Sequence, residues 1–101
     1  MINNEICYKH IKACYELYQF RKCITPYSSW VEFRDTTKDM IHSCYSMLYS
    51  NKDDMEYCVD LTMDFFDNDY VTVVLSGNNR RTIESLEQLI EHLNPTFEPL
   101  A

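Results

Sequence analysis

Two apolar stripes at helical spacing, separated by Pro26, constrain most strongly how this chain can fold. On both sides of the proline, apolar residues recur every three or four positions, which is the pattern of a helix with one buried face. Proline restricts the residue before it and cannot donate a backbone hydrogen bond, so the helix must break near Thr25. We therefore predict an N-terminal helical hairpin with helices at about 4–22 and 29–49.

The beginning of the second helix has one alternative. Ser29 followed by Glu32 fits a capping box, which favours a helix that begins there. A short strand at 30–34, with a helix restarting at Thr36, is also compatible with the pattern.

Residues 53–66 fit two structures. Apolar residues occupy every odd position from 55 to 65, which is the alternation of a strand. A helical projection instead gathers four acids into one narrow sector, and Asp53 and Asp54 suit the first turn of a helix. The four acids are Glu56, Asp60, Asp64 and Asp67.

We favour the strand, because residues 70–76 form a clear strand that needs a partner. Asp67-Asn68-Asp69 provides good turn chemistry between the two segments. The prediction is a β-hairpin with strands at about 55–65 and 70–76, followed by a C-terminal helix at about 80–93. These elements make an α+β fold, and the length of 101 residues indicates a single domain over 1–101.

The net charge of −7 is divided unevenly along the chain. Residues 1–52 hold five acids and seven bases, whereas residues 53–101 hold eleven acids and two bases. Acidic surfaces keep small proteins soluble, but solubility does not require the acids to be confined to one half. Because like charges repel and oppose folding, we expect the acidic half to bind a basic partner. The candidate binding residues are Asp53, Asp54, Glu56, Asp60, Asp64, Asp67, Asp69, Glu84, Glu87 and Glu91.

The five cysteines are widely spaced and include no C-x-x-C pair, which indicates reduced thiols rather than a disulfide framework. Cys7, His10 and Cys14 lie on neighbouring helical turns and are the best candidates for a zinc site. Their spacing matches no usual zinc module, and free cysteine is among the most buried residue types. Core packing is therefore the better interpretation, and we expect no metal or other cofactor.

No arrangement of residues identifies an active site. A Cys–His nucleophile pair, such as Cys44 with His42, would need backbone donors for an oxyanion, and a chain with one glycine has no glycine-rich loop to supply them. The segment 77–81 offers backbone N–H groups and two arginines to an anion, but it lacks the spacing of phosphate-binding loops. We expect a protein that is not an enzyme.

Tyrosines suggest an interface in the helical half. Tyr8 and Tyr15 lie one heptad apart, and Tyr45 and Tyr49 lie one turn apart. Tyrosine is enriched in interface hot spots because it combines a large contact area with a polar tip. We therefore expect a homodimer through this half.

The sequence also leads to expectations about the cellular location and the genomic origin of the protein. No run of eighteen apolar residues occurs, and Met1–Glu5 lacks the basic and apolar regions of a signal peptide, so we expect a cytoplasmic protein. One glycine, two alanines and eight tyrosines are typical of AT-rich genomes, which include those of many phages and large DNA viruses.

These observations favour an interaction protein of viral or phage type. Its acidic surface would stand in for nucleic-acid phosphates, as a DNA mimic does, and would inhibit a nucleic-acid-binding or defence protein in the host cytoplasm. Direct binding of nucleic acid is not expected, because the acidic half repels phosphate. The alternative is an immunity-like, antitoxin-like or assembly module that binds through apolar and tyrosine contacts.

Overall fold

The computed structural model describes residues 4–93, with side chains from residue 7 onward. The elements in chain order are α1 (Asn4–Ile24), α2 (Tyr27–Ser46), α3 (Lys52–Asn68), β1 (Val71–Val74), β2 (Arg80–Ile83) and α4 (Leu86–Leu93). This order confirms the α+β class with an N-terminal helical hairpin, a β-hairpin and a C-terminal helix. None of the helices within 4–93 is both long and apolar enough to cross a membrane.

The helices α1 and α2 form the predicted hairpin, and α3 packs against both of them. The ring of Tyr18 lies at the centre of this junction, with centroid distances of 5.0 Å to Trp30 and 5.5 Å to Phe66. Tyr15 stacks on Phe65 at 5.5 Å. Because large side chains that leave water each stabilise the fold by roughly 1.5–3 kcal/mol, this aromatic cluster fixes the position of α3 on the hairpin.

The helix α2 begins at Tyr27, two residues before the predicted capping box. Pro26 occupies the N-cap position, where its restricted backbone ends the connection from α1. The strand that was considered at 30–34 is therefore excluded.

The prediction of a strand at about 55–65 is wrong, since these residues belong to α3. The Oδ1 atom of Asn51 accepts hydrogen bonds from the backbone N–H groups of Asp53, at 2.8 Å, and Asp54, at 3.2 Å, which caps the helix. Both aspartates also lie in the first turn, where negative charge favours a helix. Even-numbered positions such as Cys58 and Phe66 are buried, as a helix allows and the predicted strand does not.

The partner of β1 is β2, which follows it directly in the chain. The two strands are antiparallel, with Val71 opposite Ile83 and Val74 opposite Arg80. Gly77 has a φ of 65° in the connecting turn, a backbone conformation that glycine adopts without strain. The predicted helix at about 80–93 is therefore correct only from Leu86 onward. The segment 77–81 is a hairpin turn that leads into a strand, so it has no helix N-terminus to hold an anion.

Candidate partner-binding surface

Five of the predicted acids lie on the solvent side of α3. Asp53, Asp54, Glu56, Asp60 and Asp64 are all exposed, and we call this group the α3 acidic face. Glu56, Asp60 and Asp64 follow each other at intervals of four residues, so they form one row with a spacing of about 6 Å along the helix.

The opposite side of α3 anchors the helix. Cys58, Thr62, Phe65 and Phe66 are fully buried there. The hydroxyl of Thr62 makes a hydrogen bond of 2.8 Å with that of Tyr45, which is also fully buried. The α3 acidic face is therefore presented from a helix whose other side is held in the core.

Asp67 does not belong to this face, because its carboxylate is turned toward the helical hairpin. It lies 2.7 Å from Nη2 of Arg34, and the Arg34 Nε–H donates to its two oxygens at 3.1 and 3.3 Å. The Tyr18 hydroxyl donates to the same carboxylate. Burial acts to raise the pKa of Asp67, but the hydrogen bonds from Arg34 and Tyr18 lower this pKa below its ordinary value. Asp67 is thus an internal ion-pair partner.

Asp69 also serves the fold. It takes the left-handed conformation, with a φ of 66°, at the C-terminus of α3, and its backbone N–H donates to the carbonyl of Phe65 at 2.7 Å. The Lys22 ammonium lies 3.6 Å from the Asp69 carboxylate and donates to the Asp67 carbonyl at 3.1 Å. Positive charge near the C-terminus of a helix is favourable, and Lys22 of α1 supplies this charge at the C-terminus of α3.

A row of basic residues on α2 runs alongside the α3 acidic face. Arg34, Lys38 and His42 are four residues apart, a spacing that was visible in the sequence and that predicts one helical row. Lys38 and His42 line a groove of about 340 Å³ together with Glu56 and Asp60. The edge of the acidic face next to α2 is therefore partly balanced by positive charge.

The remaining predicted acids lie on a different part of the molecule. Glu87 and Glu91 are exposed on α4, and Glu84 is exposed just before it. The Tyr8 hydroxyl of α1 donates to Glu87 at 3.3 Å. His92 of α4 makes a polar contact of 3.4 Å with the Tyr57 hydroxyl of α3. These three acids are consequently not part of the α3 row.

His92 is partly buried on α4. Burial lowers the pKa of His92, and the positive charge of Arg81 lowers it further.

The tyrosines that were predicted to form an interface pack within this chain. Tyr45 and Tyr49 are buried, and the Cys58 thiol donates to the Tyr49 hydroxyl at 3.0 Å. Tyr15 stacks within the aromatic cluster, and Tyr8 contacts Glu87. The two heptad-spaced tyrosines of α1 therefore bind α3 and α4 rather than form a free surface.

All five cysteines have free thiols. Cys7 and Cys44 are buried side by side between α1 and α2, with the Cys44 Sγ 3.6 Å from the Cys7 carbonyl. A hydrogen bond with Cys44, together with burial, raises the pKa of the Cys7 thiol. Cys14 is half-buried and His10 is exposed. Among the side chains of residues 7–93, no group of three or more His, Cys, Asp or Glu residues is arranged to hold a metal ion.

No family model, no curated protein and no solved structure matches this chain.

Proposed function

We propose that this protein is a non-enzymatic inhibitor whose α3 acidic face occupies the basic, nucleic-acid-binding surface of another protein. The observation that carries the proposal is the exposure of five carboxylates between positions 53 and 64 on one helix. At a rise of 1.5 Å per residue they span about 17 Å of helix axis, or roughly one charge per 3–4 Å. One DNA strand carries a phosphate about every 3.4 Å along its axis, so the charge densities are comparable.

The anchoring of α3 supports this proposal further. A carboxylate row on a helix with a buried opposite side needs little ordering when it binds, and preorganisation reduces the cost of association. The same negative field attracts a basic surface from a distance and raises the association rate at low salt. Repulsion among these acids opposes folding. A role in binding would explain why the chain carries them despite this cost.

The proposed partner-binding set is narrower than the set of acids in the second half of the chain. Asp67 and Asp69 pair with Arg34 and Lys22 of the helical hairpin and so serve the packing of α3. The 3.8 Å pair of Glu56 with Lys52, by contrast, lies within α3 and is exposed on both sides. Glu84, Glu87 and Glu91 lie on or just before α4, a different element, and are not needed for the row. We assign recognition of the basic partner to the α3 acidic face alone.

The amino-acid composition is the basis for the proposed target and the proposed cellular compartment. An AT-rich bias is typical of phages and large DNA viruses, so we propose a host nucleic-acid-binding or defence protein as the target and the host cytoplasm as the place of action. We propose inhibition by occupancy of the partner's basic surface as the mechanism.

The proposal is tested by capturing a partner from host lysate on immobilised protein and eluting it with a salt gradient. We expect a nucleic-acid-binding protein that elutes at moderate salt and that excess duplex DNA displaces, because both ligands compete for one basic surface. A ternary complex of protein, partner and DNA would rule this mechanism out.

Variants locate the binding surface. The triple variant Glu56→Gln, Asp60→Asn, Asp64→Asn should bind the captured partner at least about tenfold more weakly, which corresponds to about 1.4 kcal/mol. The matched control is Glu84→Gln, Glu87→Gln, Glu91→Gln, which removes three charges from exposed positions on and just before α4 and should retain binding. If the first variant retains binding, the immunity-like, antitoxin-like or assembly module, which binds through apolar and tyrosine contacts, is the better explanation.

A further inference from the structure

The helical hairpin carries an apolar groove on the side away from α3. Leu17 is 47% exposed and Met40 is 53% exposed, although both side chains are large and apolar. Two adjoining cavities of about 250 and 280 Å³ run between α1 and α2 and share His10, Cys14 and Met40 as lining residues. Met47 lines one end of this groove, and Leu17 lines the other.

We propose that a second copy of this chain covers the groove, so that two α1–α2 hairpins pack face to face as a four-helix bundle with twofold symmetry. The inference is independent of the proposed function, since it uses a different surface. Twofold dimers are the commonest oligomers of soluble proteins, and both copies then bury the same patch. Contiguous exposed apolar surface on paired helices is typical of such an interface.

The distribution of charge favours a second copy at this face. Residues 1–52, which include both helices of the hairpin, carry a net charge of +2, whereas residues 53–101 carry −9. Two copies that met through α3 and α4 would bring strongly acidic surfaces together, and like-charge contacts are costly. The hairpin is the part of the molecule on which two identical chains can meet without this repulsion.

The edges of the groove carry opposite charges. The exposed lysines Lys9 and Lys12 lie along the outer edge of α1, and the exposed acid Glu16 follows one turn after Lys12. The corresponding edge of α2 carries the exposed acids Glu32 and Asp39. A twofold axis parallel to the helices places the α1 edge of one copy against the α2 edge of the other. Rotation about this axis preserves the height along the helices, so Lys12 of each copy comes level with Asp39 of its partner.

The size of the face is sufficient for a stable dimer. The helices α1 and α2 contain 21 and 20 residues, so each is about 30 Å long. Two such helices side by side, about 10 Å apart, present a projected face of roughly 600 Å², and its ridged accessible area is larger. Stable interfaces bury about 800 Å² per partner. This arrangement also leaves the α3 acidic face directed away from the interface.

The dimer is tested on the unaltered protein alone. Sedimentation equilibrium from about 1 µM to about 1 mM should show a change from 12.1 kDa to about twice this mass. In the same range, the methyl resonances of Met40 and Met47 should shift with concentration, and those of the core residues Met55 and Met63 should not. A monomer throughout, or a dimer in which the two groove methyl groups do not shift, overturns the proposal.

Substitutions provide the second test. Leu17→Glu and Met40→Glu should each give a monomer with an unchanged circular dichroism spectrum, because both side chains are about half exposed in the single chain. Val74→Glu is the control, since Val74 is 66% exposed on the β-hairpin, and it should leave the dimer intact. A dimer that persists in folded Leu17→Glu and Met40→Glu refutes the assignment of the interface to the groove. If either variant fails to fold, the methionine resonances of the unaltered protein decide.

Discussion

At the residue scale, the carboxylate of Asp67 joins three helices. It accepts hydrogen bonds from Tyr18 of α1 and Arg34 of α2, while Asp67 itself belongs to α3. Lys22 adds a hydrogen bond to the backbone carbonyl of the same residue. The ion pair with Arg34 is two-pronged and about two-thirds withdrawn from solvent, so it holds α3 in position more effectively than an exposed pair would.

Replacing this carboxylate by an amide should weaken the fold. We expect Asp67→Asn to lower the free energy of unfolding by about 2 kcal/mol, because hydrogen bonds to a charged group are lost while Arg34 stays partly buried. Urea titration followed by circular dichroism measures the change. The control Asp64→Asn alters an exposed aspartate three residues earlier and should change this free energy by less than about 0.5 kcal/mol. Equal effects of the two substitutions would contradict the assigned role.

The same residue predicts a dependence of stability on pH. The pKa of Asp67 in the folded protein lies below the ordinary value of 3.8, so the folded state binds fewer protons than the unfolded state in that range. This contribution is therefore complete above the unfolded pKa and is lost as the pH falls through the folded pKa. We expect the melting temperature of the unaltered protein to fall more steeply below about pH 4 than that of Asp67→Asn. Parallel curves for the two proteins would exclude this linkage.

At the element scale, the start of α3 is set by Asn51, the residue that precedes the helix. Asn51 caps the helix through two backbone N–H groups, and the acids of the first turn interact favourably with the same end. The segment therefore begins as a helix for local reasons, although its apolar residues also alternate. The β-hairpin likewise forms from neighbouring residues, because the turn around Gly77 brings β2 back against β1.

Removing the cap should destabilise the protein measurably. We expect Asn51→Ala to lower the free energy of unfolding by about 1 kcal/mol, since the N–H groups of Asp53 and Asp54 lose their acceptor. The conservative variant Asn51→Asp should retain most of the stability, because a carboxylate accepts the same bonds. Urea titration of the three proteins gives the comparison, and a neutral Asn51→Ala would show that the cap is dispensable.

At the scale of the whole molecule, the net charge of −7 opposes the compact state. The surplus lies on α3 and around α4, while the hairpin half is slightly positive. This separation gives the protein one acidic surface and one nearly neutral apolar surface, which are the features on which the two proposals depend.

Salt should therefore stabilise the fold. Raising the ionic strength from about 0.01 M to about 0.15 M shortens the Debye length from about 30 to about 8 Å and screens the repulsion. We expect the melting temperature to rise over this range. The rise should be smaller for the triple variant Glu56→Gln, Asp60→Asn, Asp64→Asn, which carries less of the repelling charge. A melting temperature that falls with added salt would show that attractive ion pairs dominate instead.

Local patterns in the sequence were enough to predict the helical hairpin and the strand at β1. The apolar period on either side of Pro26 and the β-branched run near Val71 are local patterns, and local backbone preferences agree with the final fold there. The exposed acids at positions 53–64 were also predictable, because charged side chains without buried partners remain in water.

The choice between strand and helix at α3 depended on tertiary contacts as well as on the local cap at Asn51. The alternating pattern fits both, and the choice depends on whether Cys58, Thr62 and Phe66 find buried contacts, which the hairpin provides. Tertiary structure also determined which acids are compensated. No base lies within residues 53–69, yet Arg34, 33 positions away in the chain, pairs with Asp67 once α2 packs against α3. Charge along a sequence does not reveal such pairs, because Coulomb interactions depend on distances in space that only folding establishes.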